Sequence, residues 1–145
     1  MNRVPVPQGN YLPAKRQGDI IYTAGMTPRD EGVLIQQGVV TSDQALSHYR
    51  DAVVLACRNA MNAALSLLTP SETDFHLMAL TVFIASDSHF TAHARLADYA
   101  SDYLAEQWGA AGKGVRTAVG VASLPGNAPV EIQLIVAATG ATAPH

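Results

Sequence analysis

Between residues 112 and 138 the chain reads GKGVRTAVGVASLPGNAPVEIQLIVAA, two runs rich in Val and Ile around Leu124-Pro125-Gly126-Asn127. Pro, Gly and Asn favour a turn and alternating β-branched residues favour strands, so the stretch predicts a β-hairpin. Alternation places Val130, Ile132, Leu134 and Val136 on one face of the second arm, and Glu131, Gln133 and Ile135 on the other. In the first arm Val119 and Val121 oppose Arg116, Ala118 and Gly120. Pairing Val121 with Val130 gathers Arg116, Ala118, Gly120, Glu131 and Gln133 on one face, with the Arg116 and Glu131 Cα atoms roughly 13 Å apart at ~3.3 Å per residue. A guanidinium, a carboxylate and small residues on one face suit a small ligand. The plain alternative is a pair of solvated side chains on the outside of a sheet.

The rest of the chain supplies what such a hairpin packs against. Residues 11–16 form a short edge strand, because Pro13 has no N–H for a ladder. Residues 19–24, DIIYTA, form a strand ending at Gly25, and the turn at residues 28–32 leads into Val33-Leu34-Ile35. Thr41, with Gln44 three residues on, has the pattern of a capping box for a helix running to about Leu68, where Thr69-Pro70 stops it. Its apolar stripe is Leu46, Tyr49, Val53, Ala56, Ala60, Ala64 and Leu67. Residues 75–85 contain LMALTVFIA and read as a central buried strand. Asp87 or Ser88 caps a second helix to about Trp108, and residues 109–114, with three glycines, connect it to the hairpin. Two amphipathic helices against a mixed sheet of about five or six strands make an α+β two-layer fold, in one domain over residues 1–145.

Composition excludes several classes of function. Nine basic and twelve acidic side chains give a net charge of −3, and no cationic cluster exceeds Lys15-Arg16, so no electrostatic footprint for nucleic acid is present. The first residues, MNRVPVPQGNY, lack the apolar core of a signal peptide, and no apolar run approaches the ~20 residues of a membrane span. A cytoplasmic protein without membrane contact is expected. Charged residues make up 14% and hydrophobic residues 48%, a balance that suggests apolar surface buried between subunits. Cys57, the sole cysteine, excludes an internal disulfide and lies in an apolar helical pattern, as a buried structural thiol would.

Other constellations are weak. His89 and His93 are four residues apart, a spacing that can serve one metal ion, but no HExxH glutamate accompanies them and a solvated helix face accounts for both. Gly112-Lys113-Gly114 fails the phosphate-loop pattern. No metal site is expected.

VRTAVGVASLP followed by VEIQLIVAA resembles the C-terminal signature of the Rid superfamily, the reactive-intermediate deaminases formerly called L-PSP endoribonucleases or translation inhibitors. GNYLPAKRQGDIIYTAGMTP resembles that family's N-terminal segment. The resemblance implies a chorismate-mutase-like α+β fold, a homotrimer with clefts between subunits, and no cofactor. It gives Arg116 the task of holding a substrate carboxylate and Glu131 that of positioning or activating water, with Tyr11 helping to close the cleft. Three positions depart from the family: Ala24 stands where Ser is frequent, Ala118 where Cys is frequent, and Asp98 near where Asn is expected. The implied activity is hydrolysis of small enamines or imines, of the 2-aminoacrylate or 2-iminoacid type, to keto acids and ammonia. Alternatives are a pathway-specific deaminase of a ring-cleavage or pyrimidine-breakdown product, and a non-catalytic trimer that binds a carboxylate metabolite.

Overall fold

The computed structural model describes residues 3–138. His145, which the sequence leaves without an evident partner, lies outside the described residues. The strands are β1 (Ala14–Gln17), β2 (Ile20–Thr23), β3 (Arg29–Asp30), β4 (Val33–Leu34), β5 (Phe75–Ala85), β6 (Val115–Val121) and β7 (Val130–Ala138), and the helices are α1 (Arg50–Leu65) and α2 (His93–Trp108). Five strands form one mixed sheet in the order β1-β2-β7-β5-β6, and β3 and β4 pair separately. Sheet and helices make the expected two-layer α+β arrangement.

The central strand changes the expected pairing. β6 and β7 do not form a hairpin, because β5 lies between them, parallel to β6 and antiparallel to β7. The LMALTVFIA run is apolar on both faces, which suits a central strand. Joining β5 to a parallel neighbour needs a crossover, and α2 supplies it. Leu124–Asn127 therefore spans two strands that are not neighbours. Gly126 and Asn127 both take positive φ, 66° and 65°, as that tight turn requires.

Inserting β5 also moves residues between faces. Leu80, Val82 and Ile84 of β5 pair with Arg116, Ala118 and Gly120 of β6, and with Leu134, Ile132 and Val130 of β7. These rows face the helices, and the β5 and β7 members are fully buried or nearly so. Glu131 and Gln133 pair with Phe83 and Thr81 on the opposite, uncovered face. The expectation that Arg116, Ala118 and Gly120 share a face with Glu131 and Gln133 is corrected: cross-strand partners share a face, and a one-residue change of register exchanges the two sets.

Alanines and Cys57 let α1 approach α2 closely. Ala56, Cys57, Ala60, Ala97 and Ala100 are all fully buried. Burial pushes the Cys57 thiol up to about 12, as for an inert structural group. Both helices begin later than their sequence signals suggest. The Thr41 hydroxyl donates to Asp43 at 2.5 Å, its N–H donates to the Tyr49 hydroxyl at 3.0 Å, and the α-helix starts only at Arg50 after a 3-10 turn. Asp87 accepts from the N–H groups of His89 and Phe90 in a turn ahead of α2. His89 therefore precedes the helix that starts at His93, so the two do not share a helix face.

Where β2 ends, the chain bulges. The Thr23 hydroxyl accepts from the Leu134 N–H at 3.0 Å, and pairing with β7 resumes at Met26 and Ile132, at 2.7 and 2.9 Å. Ala24 and Gly25 are left as a step in the ladder, directly beside Glu131. At the other end, Arg16 of β1 makes a two-pronged ion pair with Glu72, at 2.5 and 2.6 Å, and also donates to the Leu67 carbonyl. This clamps the edge strand to the chain that leaves α1.

Candidate active site

The six residues singled out from sequence fall into two groups. Arg116, Asp98 and Ala118 lie together on the helix-covered face at the β6 edge. The Arg116 side chain is 25% exposed and leans onto α2, donating to Asp98 Oδ1 at 2.7 Å, to Ser101 Oγ at 3.1 Å and to the Ala94 carbonyl at 3.2 Å. Asp98 and Ser101 are three residues apart, so the helix presents both to one cation. A guanidinium has five N–H donors, and these three bonds leave Nε–H and one Nη2 hydrogen without a partner among the described residues. A carboxylate takes two parallel N–H donors of this kind. Ala118, the next residue along this row, is half-buried against the core.

Tyr11, Ala24 and Glu131 gather at the other end of the sheet. A β-carbon on Gly25 would stand 2.7 Å from Glu131 Cδ and closer still to one carboxylate oxygen, so glycine at the bulge makes room for the acid. Glu131 accepts no hydrogen bond among the described residues, and half-burial pushes its carboxyl above the usual range. Tyr11 is 47% exposed, its hydroxyl accepts from the Gln8 N–H at 3.2 Å, and it lines a small pocket with Pro13, Gly25 and Met26. The Ala24 N–H donates to the Pro13 carbonyl at 2.9 Å, which ties this bulge to the segment after Tyr11.

Both groups sit on a fold whose sequence signature is recognisable. The profile described as Endoribonuclease L-PSP matches residues 1–138. The chain belongs to the Endoribonuclease L-PSP family. Protein TCP17 of Trypanosoma cruzi is 31% identical over 137 residues, 90% of this chain and 82% of that one. The crystal structure of Atu1372 from Agrobacterium tumefaciens, a protein of unknown function, is 32% identical and has a TM-score of 0.80 over 92% of this chain and 85% of that one. TdcF of E. coli, solved with bound serine, shares the fold at 21% identity and a TM-score of 0.68, over 94% of each chain. The resemblance to the Rid superfamily is thereby established for this L-PSP family member.

Sequence reading missed three contributors in this L-PSP chain. Ser101 was legible as the residue three after Asp98 on one helix. Gly25 reads in sequence only as the end of a strand, and its role as the seat of Glu131 needs the β2–β7 register. His93 was placed on a solvated face, yet a β-carbon on Gly120 would stand 2.6 Å from His93 Nε2.

Larger clefts lie beside or away from these groups. One of about 360 Å³ is lined by Arg116 itself and opens on its N-terminal side along β6, between Ser101, Asp102 and Lys113. Another, about 500 Å³, lies under the N-terminal segment against α1 and is lined by Arg3, Arg29 and Arg58. It shares Pro5, Val6, Gln8, Arg29 and Asn59 with the small pocket beside Tyr11. Among the described residues no helix is long and apolar enough to cross a membrane.

Proposed function

We propose that this protein is a hydrolytic deaminase of small 2-iminoacids and their enamine tautomers, acting as a homotrimer in the cytoplasm. The observation that carries the reading is the Arg116 fork, held rigidly by Asp98, Ser101 and Ala94 with two N–H donors free. A fixed guanidinium edge grips a carboxylate in one orientation and so positions the adjacent imine carbon.

Glu131 is the base. Its carboxylate lacks protein donors among the described residues, and its raised pKa makes it a better proton acceptor than an ordinary glutamate. Water adds to the imine carbon and gives its proton to Glu131. Glu131 hands that proton to the nitrogen to give a carbinolamine, then carries the carbinolamine's hydroxyl proton to the same nitrogen as the carbon–nitrogen bond breaks, and a keto acid and ammonia leave. This chemistry is facile without a catalyst once water is oriented, so no cofactor enters the scheme.

Within one chain the two groups cannot meet, since they lie on opposite faces of the sheet. The uncovered face also carries apolar side chains with little cover, among them Tyr22 at 46% and Val115 at 72% exposed. In a trimer built on that face, the β6 edge of one protomer meets the Tyr11–Gly25–Glu131 end of the next. Tyr11, Ala24 and Ala118 then line the walls. Hydrolysis of freshly generated 2-iminopropanoate, followed by its absorbance, tests the reading. A rate equal to the buffer background would overturn it.

A further inference from the structure

The cavity of about 500 Å³ under the N-terminal segment is walled by α1 on one side and by the β3–β4 pair on the other. Leu55, Arg58, Asn59 and Asn62 form the helical wall, at the i, i+3, i+4 and i+7 spacing that gathers side chains on one face of a helix. The buried Asn59 amide donates through Nδ2 to the Thr27 and Arg29 carbonyls, at 3.1 and 2.9 Å, and so fixes the second wall to the first. Val4, Pro5 and Val6 complete the lining from the N-terminal segment. Apolar side chains with a few fixed polar groups, in a volume of this size, are the usual make-up of a small-molecule site.

The charges that line this cavity do not cancel. Arg3 and Glu31 pair at 3.3 Å, which leaves Arg29 and Arg58 against Asp30, a surplus of one positive charge. Asp30 is exposed, whereas both arginines are partly buried. Arg58 makes no ion pair or hydrogen bond among the described residues. Arg29 donates from Nη1 to the Gly32 carbonyl at 2.8 Å, but its buried Nε–H has no acceptor among them. A guanidinium taken partly out of water without a partner is costly, and an anion offsets that cost. The proposed hydrolysis uses neither cation.

We propose that this cavity is a second ligand site, distinct from the Arg116 cleft, for an amphipathic monoanion. Arg58 holds the carboxylate, and an apolar body of one or two rings packs against Leu55, Val4 and Val6. The site stands independently of the deaminase reading.

Calorimetry tests it with 1-naphthoate and the neutral 1-naphthalenemethanol, on wild type, Arg58→Ala, Leu55→Phe and Arg116→Ala. Wild type should bind the carboxylate on the order of tenfold or more tighter than the alcohol, as a charged hydrogen-bonding partner provides. Arg58→Ala should bring the two affinities together, and alanine suits this helical position. Leu55→Phe adds bulk to the apolar wall and should weaken both ligands. Arg116→Ala should keep the wild-type preference, because Arg116 does not line the cavity. No binding of 1-naphthoate to wild type at millimolar concentration would overturn the proposal, as would equal affinities for the two ligands. A preference that survives Arg58→Ala, or one lost in Arg116→Ala, would place the carboxylate elsewhere and overturn it too. Leu55→Phe gives a reading that does not depend on Arg58, and affinities unchanged by it would reject the cavity as the site.

Discussion

Arg116 and Glu131 sit on opposite faces of one sheet, two strands and three residues of register apart, about 14 Å between Cα atoms at ~4.8 Å per strand and ~3.3 Å per residue. Neither side chain can turn through the sheet. Any reaction that uses both draws them from different protomers.

Mixing inactive variants reads this directly. Arg116→Ala and Glu131→Gln should each be inactive alone as homotrimers. Unfolded together and refolded at equal ratio, they should recover about a quarter of wild-type activity, the share of clefts that combine an intact Arg116 with a neighbour's intact Glu131 in a closed ring. Recovery no greater than the sum of the two variants would show that one chain makes the whole site, or that Arg116 and Glu131 do not cooperate.

Asp98 sets how strongly Arg116 attracts an anion. Its carboxylate holds Arg116 at 2.7 Å and so opposes a substrate carboxylate on the same fork. Asp98→Asn keeps an acceptor for the arginine and removes the charge, so KM for 2-iminopropanoate should fall, by roughly 3- to 10-fold for a pair this exposed. A rise in KM would show instead that Asp98 contacts the iminium nitrogen.

Glu131 should leave its mark on both rate and stability. The acid limb of kcat/KM should lie above the ordinary glutamate range, because burial raises the pKa and the protonated form is not a base. Glu131→Gln should lose turnover on the order of 10²-fold or more while keeping affinity for a stable keto acid. A carboxyl whose folded-state pKa is raised stabilises the fold fully below its unfolded value and loses that contribution as pH rises through the folded value. The Gln variant should therefore resist urea at least as well as wild type at neutral pH. A clear loss of stability would mean that Glu131 has a structural partner.

Arg16 and Glu72 give the opposite pH dependence. The Arg16 guanidinium beside it, with the Thr69 N–H, lowers the Glu72 carboxyl from 4.5 to about 2. A depressed carboxylate stabilises the fold above its unfolded pKa, and that contribution disappears as pH falls from about 4.5 towards about 2. Urea titrations across that window should show a smaller acid loss for Glu72→Gln than for wild type. Equal slopes would show that the clamp contributes nothing in solution.

The sequence by itself determined the elements and the chemistry of the individual side chains. LMALTVFIA announced a buried strand, and β5 spans residues 75–85 as read. Trp108 ends the second helix as expected, and the N- and C-terminal motifs carry the family's signature. Helix starts were less legible. Thr41 and Asp87 carry capping groups, but local turns use them first, through Asp43 and through the N–H groups of His89 and Phe90.

Only the tertiary structure decided which strands are neighbours and which residues therefore share a face. Alternation fixes two faces within a strand but is silent on how the faces of two strands correspond, since a one-residue slip exchanges them. With β5 between β6 and β7, Arg116 joined Asp98 and Ser101 under α2, Glu131 joined Gly25 on the uncovered face, and His93 came over Gly120. The glycines show the same division. Both were visible as small residues, but the side chain that fills the space each one leaves belongs to a strand or helix far away in sequence, and only packing brings it there.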